Sequence, residues 1–306
     1  KYGLFVILAI FIVVFSTLNT QFLSPGNLLN ILRQISMFGI VVVGYTMVMI
    51  SGGCDMSVGG QLALCGMFAA TLNVTYGLPT FVVVILTLML GALFGLINGL
   101  LMNVFNIMPL IVTLGTMLFF QGASYIISGG VAIFGLSDSF KFIGQGYLGF
   151  VPLPIVILLV IGVLGYIVLH KTYFGRQIYA MGGNPEAARL AGVNIKKYRL
   201  AVFTITGILA AVAGIIMAAR TGSAQPSAGA SYPFDCMTAV VLGGVSFAGS
   251  SGSMLGAMMG VIIIGVLNNG MQLIGMDSNM INCVKGIVLL QAKWLKMATS
   301  LSICAW

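Results

Sequence analysis

The side chains able to do chemistry are few in this chain of 306 residues: five acids (Asp55, Asp138, Glu186, Asp235, Asp277), thirteen Lys and Arg, and one histidine, His170. No two carboxylates lie close in sequence for general acid–base work, no Ser/His/Asp order is present, and no cluster has metal-ligand spacing. Cys54, Cys65, Cys236, Cys283 and Cys304 show neither CxxC nor Cys/His spacing and read as small apolar fillers. His170, beside Lys171 at the end of an apolar run, reads as an interfacial side chain reaching for water. The glycine-rich run 242–253 lacks the GxxxxGK[ST] order of a phosphate loop. An enzyme active site, a nucleotide site, a metal or a cofactor is therefore not expected in this chain, and the remaining candidates are residues that dock partners or line a path.

The densest polar stretch is 170–199, which holds six of the thirteen basic residues, Glu186 and the histidine. Within it, residues 184–192 (NPEAARLAG) read as a very short helix. Asn184 suits the N-cap, Pro185 the first helical position and Gly192 the C′ position, with Glu186, Ala187 and Arg189 between them. Two turns of helix are not stable alone in water. The segment must be braced by the rest of the protein and offered to something in the cytoplasm.

What has to position it is oil. With 59% hydrophobic and 6% charged residues, against about 25% charged in soluble domains, the chain reads as an all-α polytopic membrane protein forming a single domain, 1–306, with a cytoplasmic loop at 171–199. Apolar runs near 2–20, 28–50, 57–75, 79–104, 107–127, 152–170, 199–219, 234–248, 253–273 and 280–296 predict about ten transmembrane helices. Residues 1–20 carry no small-residue cleavage site and read as the first of them. With 171–199 inside, both termini are cytoplasmic. Nine basic residues then lie inside (Lys1, Lys171, Arg176, Arg189, Lys196, Lys197, Arg199, Lys293, Lys296) and three outside (Arg33, Lys141, Arg220), with Lys285 in the last span. The net charge of +8 is thus a topological signal, and nucleic acid is not an expected partner.

Several interruptions break the apolar pattern. Residues 51–60 (SGGCDMSVGG) put four glycines and Asp55 at membrane depth, where irregular backbone persists only inside protein or along a watery cavity. Asp55 either caps the helix that follows or faces a solute, and the two roles are compatible. Gly91 and Gly95 recur as Gly256 and Gly260 at an offset of 165 residues, which is either common membrane-helix bias or the mark of an inverted repeat of spans 2–5 and 7–10. That offset sets the break at Asp55 opposite the loop 220–229, which contains Gln225. Asn268 and Asn269 place amides in an apolar layer. The glycine-rich segment 128–150 is either a docking surface for an external partner or a flexible connector, and from Gln291 the chain reads as an irregular interfacial tail.

Taken together, SGGCDMSVGGQLAL (51–64), GNPEAARLAGV (183–193), SAQPSAGASYPFD (223–235), AVVLGGVSFAGSSGSMLGAMMGVIIIGVLNNGMQL (239–273) and VKGIV (284–288) resemble the membrane permease subunits of bacterial ABC importers for ribose and related monosaccharides. The resemblance runs from about residue 20 to 290. Cys54 departs from it, where the family usually has an aliphatic residue, and so do Gln291, Lys293 and Lys296, where the family stays apolar. It implies a bacterial inner-membrane subunit acting as a dimer, a homodimer in preference to a heterodimer. An ABC-type ATPase binding ATP and Mg²⁺ would dock on 184–192, and a periplasmic or lipoprotein sugar-binding protein would deliver solute from outside. Asn184, Glu186 and Arg189 are the expected ATPase contacts, and Asp55, Ser57, Gln225, Asn268 and Asn269 the expected solute path. Alternatives are a permease for a branched-chain amino acid, a nucleoside or an autoinducer sugar, or a stand-alone channel or ion-coupled carrier. The scarcity of ionisable residues in the spans argues against self-powered coupling.

Overall fold

The computed structural model describes the backbone of residues 3–303 and the side chains of residues 3–290. Lys1 and Cys304 lie outside the described residues, as do the side chains of Lys293 and Lys296.

Among the described residues, six helices are long and apolar enough to cross a membrane: α2 (Pro25–Ile50), α4 (Thr80–Phe105), α5 (Pro109–Ser128), α7 (Leu153–Lys171), α10 (Ile195–Thr221) and α12 (Met254–Leu273). Four apolar helices are shorter in their described parts: α1 (Gly3–Leu18), α3 (Val58–Val74), α11 (Tyr232–Leu242) and α13 (Ser278–Ile303). Three short helices complete the set, α6 (Asp138–Gln145), α8 (Tyr173–Gly183) and α9 (Pro185–Leu190). The expected run at 234–248 corresponds to α11, whose 11 residues rise only about 16 Å. It stops there because Gly244, at φ +89°, turns the chain out of the helix. At the other extreme, α13 continues as one helix through the segment expected to be irregular from Gln291.

Local chemistry accounts for several helix ends. Ser24 accepts from Asn27 N ahead of Pro25, Ser137 from Phe140 N, Thr172 from Gly175 N and Ser253 from Gly256 N, each satisfying an amide the helix cannot. The long α10 ends at Gly222, left-handed at φ +70°.

Helix α2 is buried continuously from Ile35 to Ile50, so it is the centre of the bundle. The packing around it comes in matched pairs. α2 packs on α12 as α10 packs on α4; α3 packs on α10 as α11 packs on α2; α3 packs on α5 as α11 packs on α13. The glycine pairs take part in different contacts: Gly91 and Gly95 lie against Gly207 and Phe203 of α10, whereas Gly256 and Gly260 lie against Gly243 and Ala239, the end of α11 and the residue after it. The offset of 165 thus does not place them in equivalent contacts. In lipid, small residues at such crossings let backbones approach. A Cβ at Gly95 would fall on the Phe203 carbonyl, so Gly95→Val forces α4 and α10 apart. The expected loss is about 1–3 kcal/mol, read as a lower unfolding midpoint of the purified chain in detergent.

The segment 128–150 is an ordered cap. Its strand β1 (Ile133–Phe134) pairs antiparallel with β4 (Ser223–Ala224), and β2 (Tyr147–Leu148) pairs with β3 (Val151–Pro152). Helix α6 packs on the end of α10, and Arg33 Nη2 donates to Tyr147 Oη at 2.6 Å. The cap closes the end of the bundle opposite α9.

Candidate functional site

Helix α9 is built as its residue types require. Asn184 Oδ1 accepts from Ala187 N at 3.0 Å, and Pro185 follows at the first helical position. Gly192 sits at φ +86°, with Val193 N donating to Ala188 O at 2.9 Å and Gly192 N to Arg189 O at 3.0 Å. These are the two bonds of a Schellman stop. Glu186 and Arg189 pair at 2.8 Å with both side chains about 70% exposed. A pair so open to solvent contributes at most about 1 kcal/mol, so both charges are available to a partner. Leu190, 86% exposed, adds an apolar tip.

The brace behind α9 is α8, which the sequence reading left inside a polar loop. Thr172 starts it, and its last turn is pressed on the end of α2: a Cβ at Gly182 would fall on the Ile50 carbonyl. Ser250, in the turn between α11 and α12, donates its N–H to that same carbonyl at 2.9 Å. His170 is no simple interfacial residue. Its Nε2 accepts from Met254 N, the start of α12, at 3.1 Å, between the rings of Tyr166 and Tyr179, and Tyr179 Oη donates to Gly252 O at 2.8 Å. On the other side, Asn103 of α4 donates to Lys196 O at 2.8 Å. The segment that carries α9 is thus tied to α2, α4 and α12 through α8 and the start of α10.

The five expected path residues do not converge. Asp55 and Ser57 are fully buried in a compact polar knot: Asp55 Oδ1 accepts from the N–H and hydroxyl of Ser57. Ser57 Oγ accepts from Gln61 Nε2 at 2.7 Å and Asn98 Nδ2 at 2.8 Å. Asp55 bonds the N–H of Ser57, the residue ahead of α3, and does not cap the helix that follows. Asp55 Oδ2, Gln61 Oε1 and Asn98 Oδ1 find no donor there. Gln225 is exposed on a narrow crevice beside Leu62 and Gly66. Gly59, at the start of α3, packs against Gly229, so the two expected breaks meet. Asn269 and Asn27 exchange amide bonds at 2.9 and 3.0 Å, fastening α12 to α2. Asn268 alone reaches a roomy polar space.

That space lies between α10, α11, α12 and α13, in the half of the bundle away from α9. Two adjoining cavities of about 850 and 160 Å³ share Ser231, Tyr232, Asp235, Gln272 and Lys285 in their walls. At its centre Lys285 Nζ lies 2.9 and 3.0 Å from the two oxygens of Asp235, whose Oδ2 also accepts from Ser231 Oγ at 2.9 Å. The Asp235 side chain is 7% exposed and Lys285 13%. Fifty residues separate the partners, so no local motif announced them; the only signal was two opposite charges in apolar surroundings, which are costly there unless paired. Among the described residues no group of three or more His, Cys, Asp or Glu side chains is placed to hold a metal ion.

A bundle of long apolar helices, an outward-facing capped helix at one end and a half-open cavity holding a buried ion pair in the other half together define a multi-pass membrane protein of the transport class. Residues 27–292 match the family described as branched-chain amino acid transport system / permease component, and the chain belongs to that family. It is 42% identical to the ribose import permease protein of Bacillus subtilis (strain 168), over 95% of this chain and 91% of the relative. To the ribose import permease protein of Escherichia coli (strain K12) it is 40% identical, over 93% and 90%. To the xylose transport system permease protein of Haemophilus influenzae (strain Rd) it is 34% identical, over 90% and 89%. No solved structure matches the chain.

Proposed function

We propose that this chain is the permease subunit of a bacterial inner-membrane ABC importer, and that it forms the path of a monosaccharide such as ribose. The ribose and xylose relatives support the solute class. The reading of a separate motor rests on α9, a capped helix with a solvent-exposed Glu186–Arg189 pair outside and α8 behind it. In this reading an ATPase subunit, which binds ATP and Mg²⁺, docks on Asn184, Pro185, Glu186, Ala187, Arg189 and Gly192. Its rigid-body motion then passes through α8 and α10 to the bundle. The chain itself is not the enzyme.

The same reading places 171–199 in the cytoplasm with both termini, has the four shorter apolar helices bring the number of membrane segments to ten with α11 entering part-way, and relates spans 2–5 to spans 7–10 as an inverted repeat, which the matched packing pairs support. A sugar-binding protein meets the cap, where Phe150 is 98% and Phe134 69% exposed. A second copy covers the face of α11 and α13, where Ser227, Ser278 and Asn282 would otherwise set hydroxyls and an amide against lipid. Asp55 and Ser57 keep their proposed role as polar lining exposed when the bundle moves, together with Gln225, Asn268 and Asn269.

The experiment is co-purification with the ATPase. Glu186→Lys leaves two adjacent cations on α9, and the complex is expected to weaken by about 2 kcal/mol or more, as for truncation of a charge pair at an interface. Unchanged association, or ATP-independent uptake into vesicles holding this chain by itself, would overturn the reading.

A further inference from the structure

We infer that the chamber around the Asp235–Lys285 pair is the station in this chain that holds the solute during passage, and that it is built for an uncharged polyhydroxylated molecule. The inference rests on the permease reading above and adds to it the residues that touch the cargo.

Size comes first. About 850 Å³ in the larger cavity falls within the roughly 300–1,000 Å³ of sites that enclose small molecules. Its walls are unusual for membrane depth. A second, smaller space continues it, in which Arg220, Asn268 and Gln34 join the Asp235–Lys285 pair and Gln272. Asn268 Oδ1 is closed off from solvent and has no donor within the chain, an arrangement that costs stability. A solute hydroxyl in this smaller space can accept from the Asn268 amide or the Arg220 guanidinium.

Charge then narrows the class. Asp235 and Lys285 already neutralise one another, and Ser231 holds the carboxylate in place. A zwitterionic solute would have to break that pair to use its charges. A cation would meet the field of Lys285 and Arg220, with only Asp235 to offset them, the arrangement by which pores turn cations away. A neutral polyol needs neither change. Its hydroxyls can donate to Asp235 and accept from Lys285, Gln272, Arg220 and the Asn268 amide, while Tyr232 and Phe234 supply apolar wall.

The position is consistent with a receiving site. Asp235 is in the first turn of α11, and Gln272 and Asn268 are in the last turns of α12. The chamber therefore lies nearer the capped end, where solute would arrive, than the α9 end, where the motor would act.

The test uses the assembled transporter, with ATPase and binding protein, in proteoliposomes. Gln272→Cys is introduced with Cys283→Ser, which removes the native thiol exposed among the described residues, and a membrane-impermeant thiol reagent is applied from the binding-protein side. D-ribose is expected to slow modification several-fold, whereas L-leucine is expected to have no effect. A rate indifferent to D-ribose in a complex that imports it, or protection by L-leucine in its place, overturns the inference. A second measurement does not depend on labelling. Asn268→Ala, and separately Asp235→Asn combined with Lys285→Gln, are expected to cut the maximal D-ribose uptake rate about tenfold, a modest change on the scale of lost transition-state contacts. Uptake at the unmodified rate in both also overturns it. If the unaltered complex imports no D-ribose at all, it is the permease reading that fails.

Discussion

Gly182→Val is expected to separate the motor from the path. Its side chain would occupy the position of the Ile50 carbonyl, so the last turn of α8 would lift from the end of α2 and break the bond from Ser250 N to that carbonyl. The surface of α9 would remain intact, because its cap and its stop are made within 184–193. ATPase association should therefore persist while solute uptake falls by about 5–150-fold, the range of a lost coupling free energy of ~1–3 kcal/mol. Parallel assays of co-purification and ATP-driven uptake decide the matter. Normal uptake would show that α8 is only a tether.

Asp235→Ala has the largest expected effect on stability. It strands the Lys285 ammonium in surroundings where its side chain is 13% exposed, and removing one partner of a buried pair costs about 3–5 kcal/mol. Adding Lys285→Met is expected to restore most of that loss, since apolar replacement of a buried pair is often neutral or stabilising. The double variant should fold, with an unfolding midpoint near that of the unaltered chain, and should still fail to import. Full transport in the double variant would reduce the pair to a structural fastener between α11 and α13. A double variant as unstable as the single one would mean that the pair's hydrogen bonds hold the helices together beyond mere charge balance.

The contrast between α9 and the chamber explains how much was legible beforehand. Everything that forms α9 acts within nine residues: a side-chain cap, a ring with preset φ and a glycine free to turn left-handed. Such local rules can be applied to a sequence directly. The long apolar helices were legible for a similar reason, because about 20 residues of oil have few other fates. Helix α8 was not, because YFGRQIYAMGG carries three glycines and is held by contacts with Ile50 and Ser250 that no local pattern encodes. His170 likewise gave no sign of its bond to Met254, 84 residues away.

By itself, then, the amino-acid sequence determined the class of the molecule, the helical bundle and the short capped helix at 184–192. Composition and local backbone preference act before the chain is packed. Only the tertiary structure decided which polar residues share a space. It closed Asp55 and Ser57 into a knot with Gln61 and Asn98, spent Asn269 on Asn27, and brought Asp235 to Lys285 beside Asn268. In an apolar medium a polar group takes whichever partner the packing of helices presents, and that packing depends on close glycine contacts and matched helix pairs spread over the whole chain.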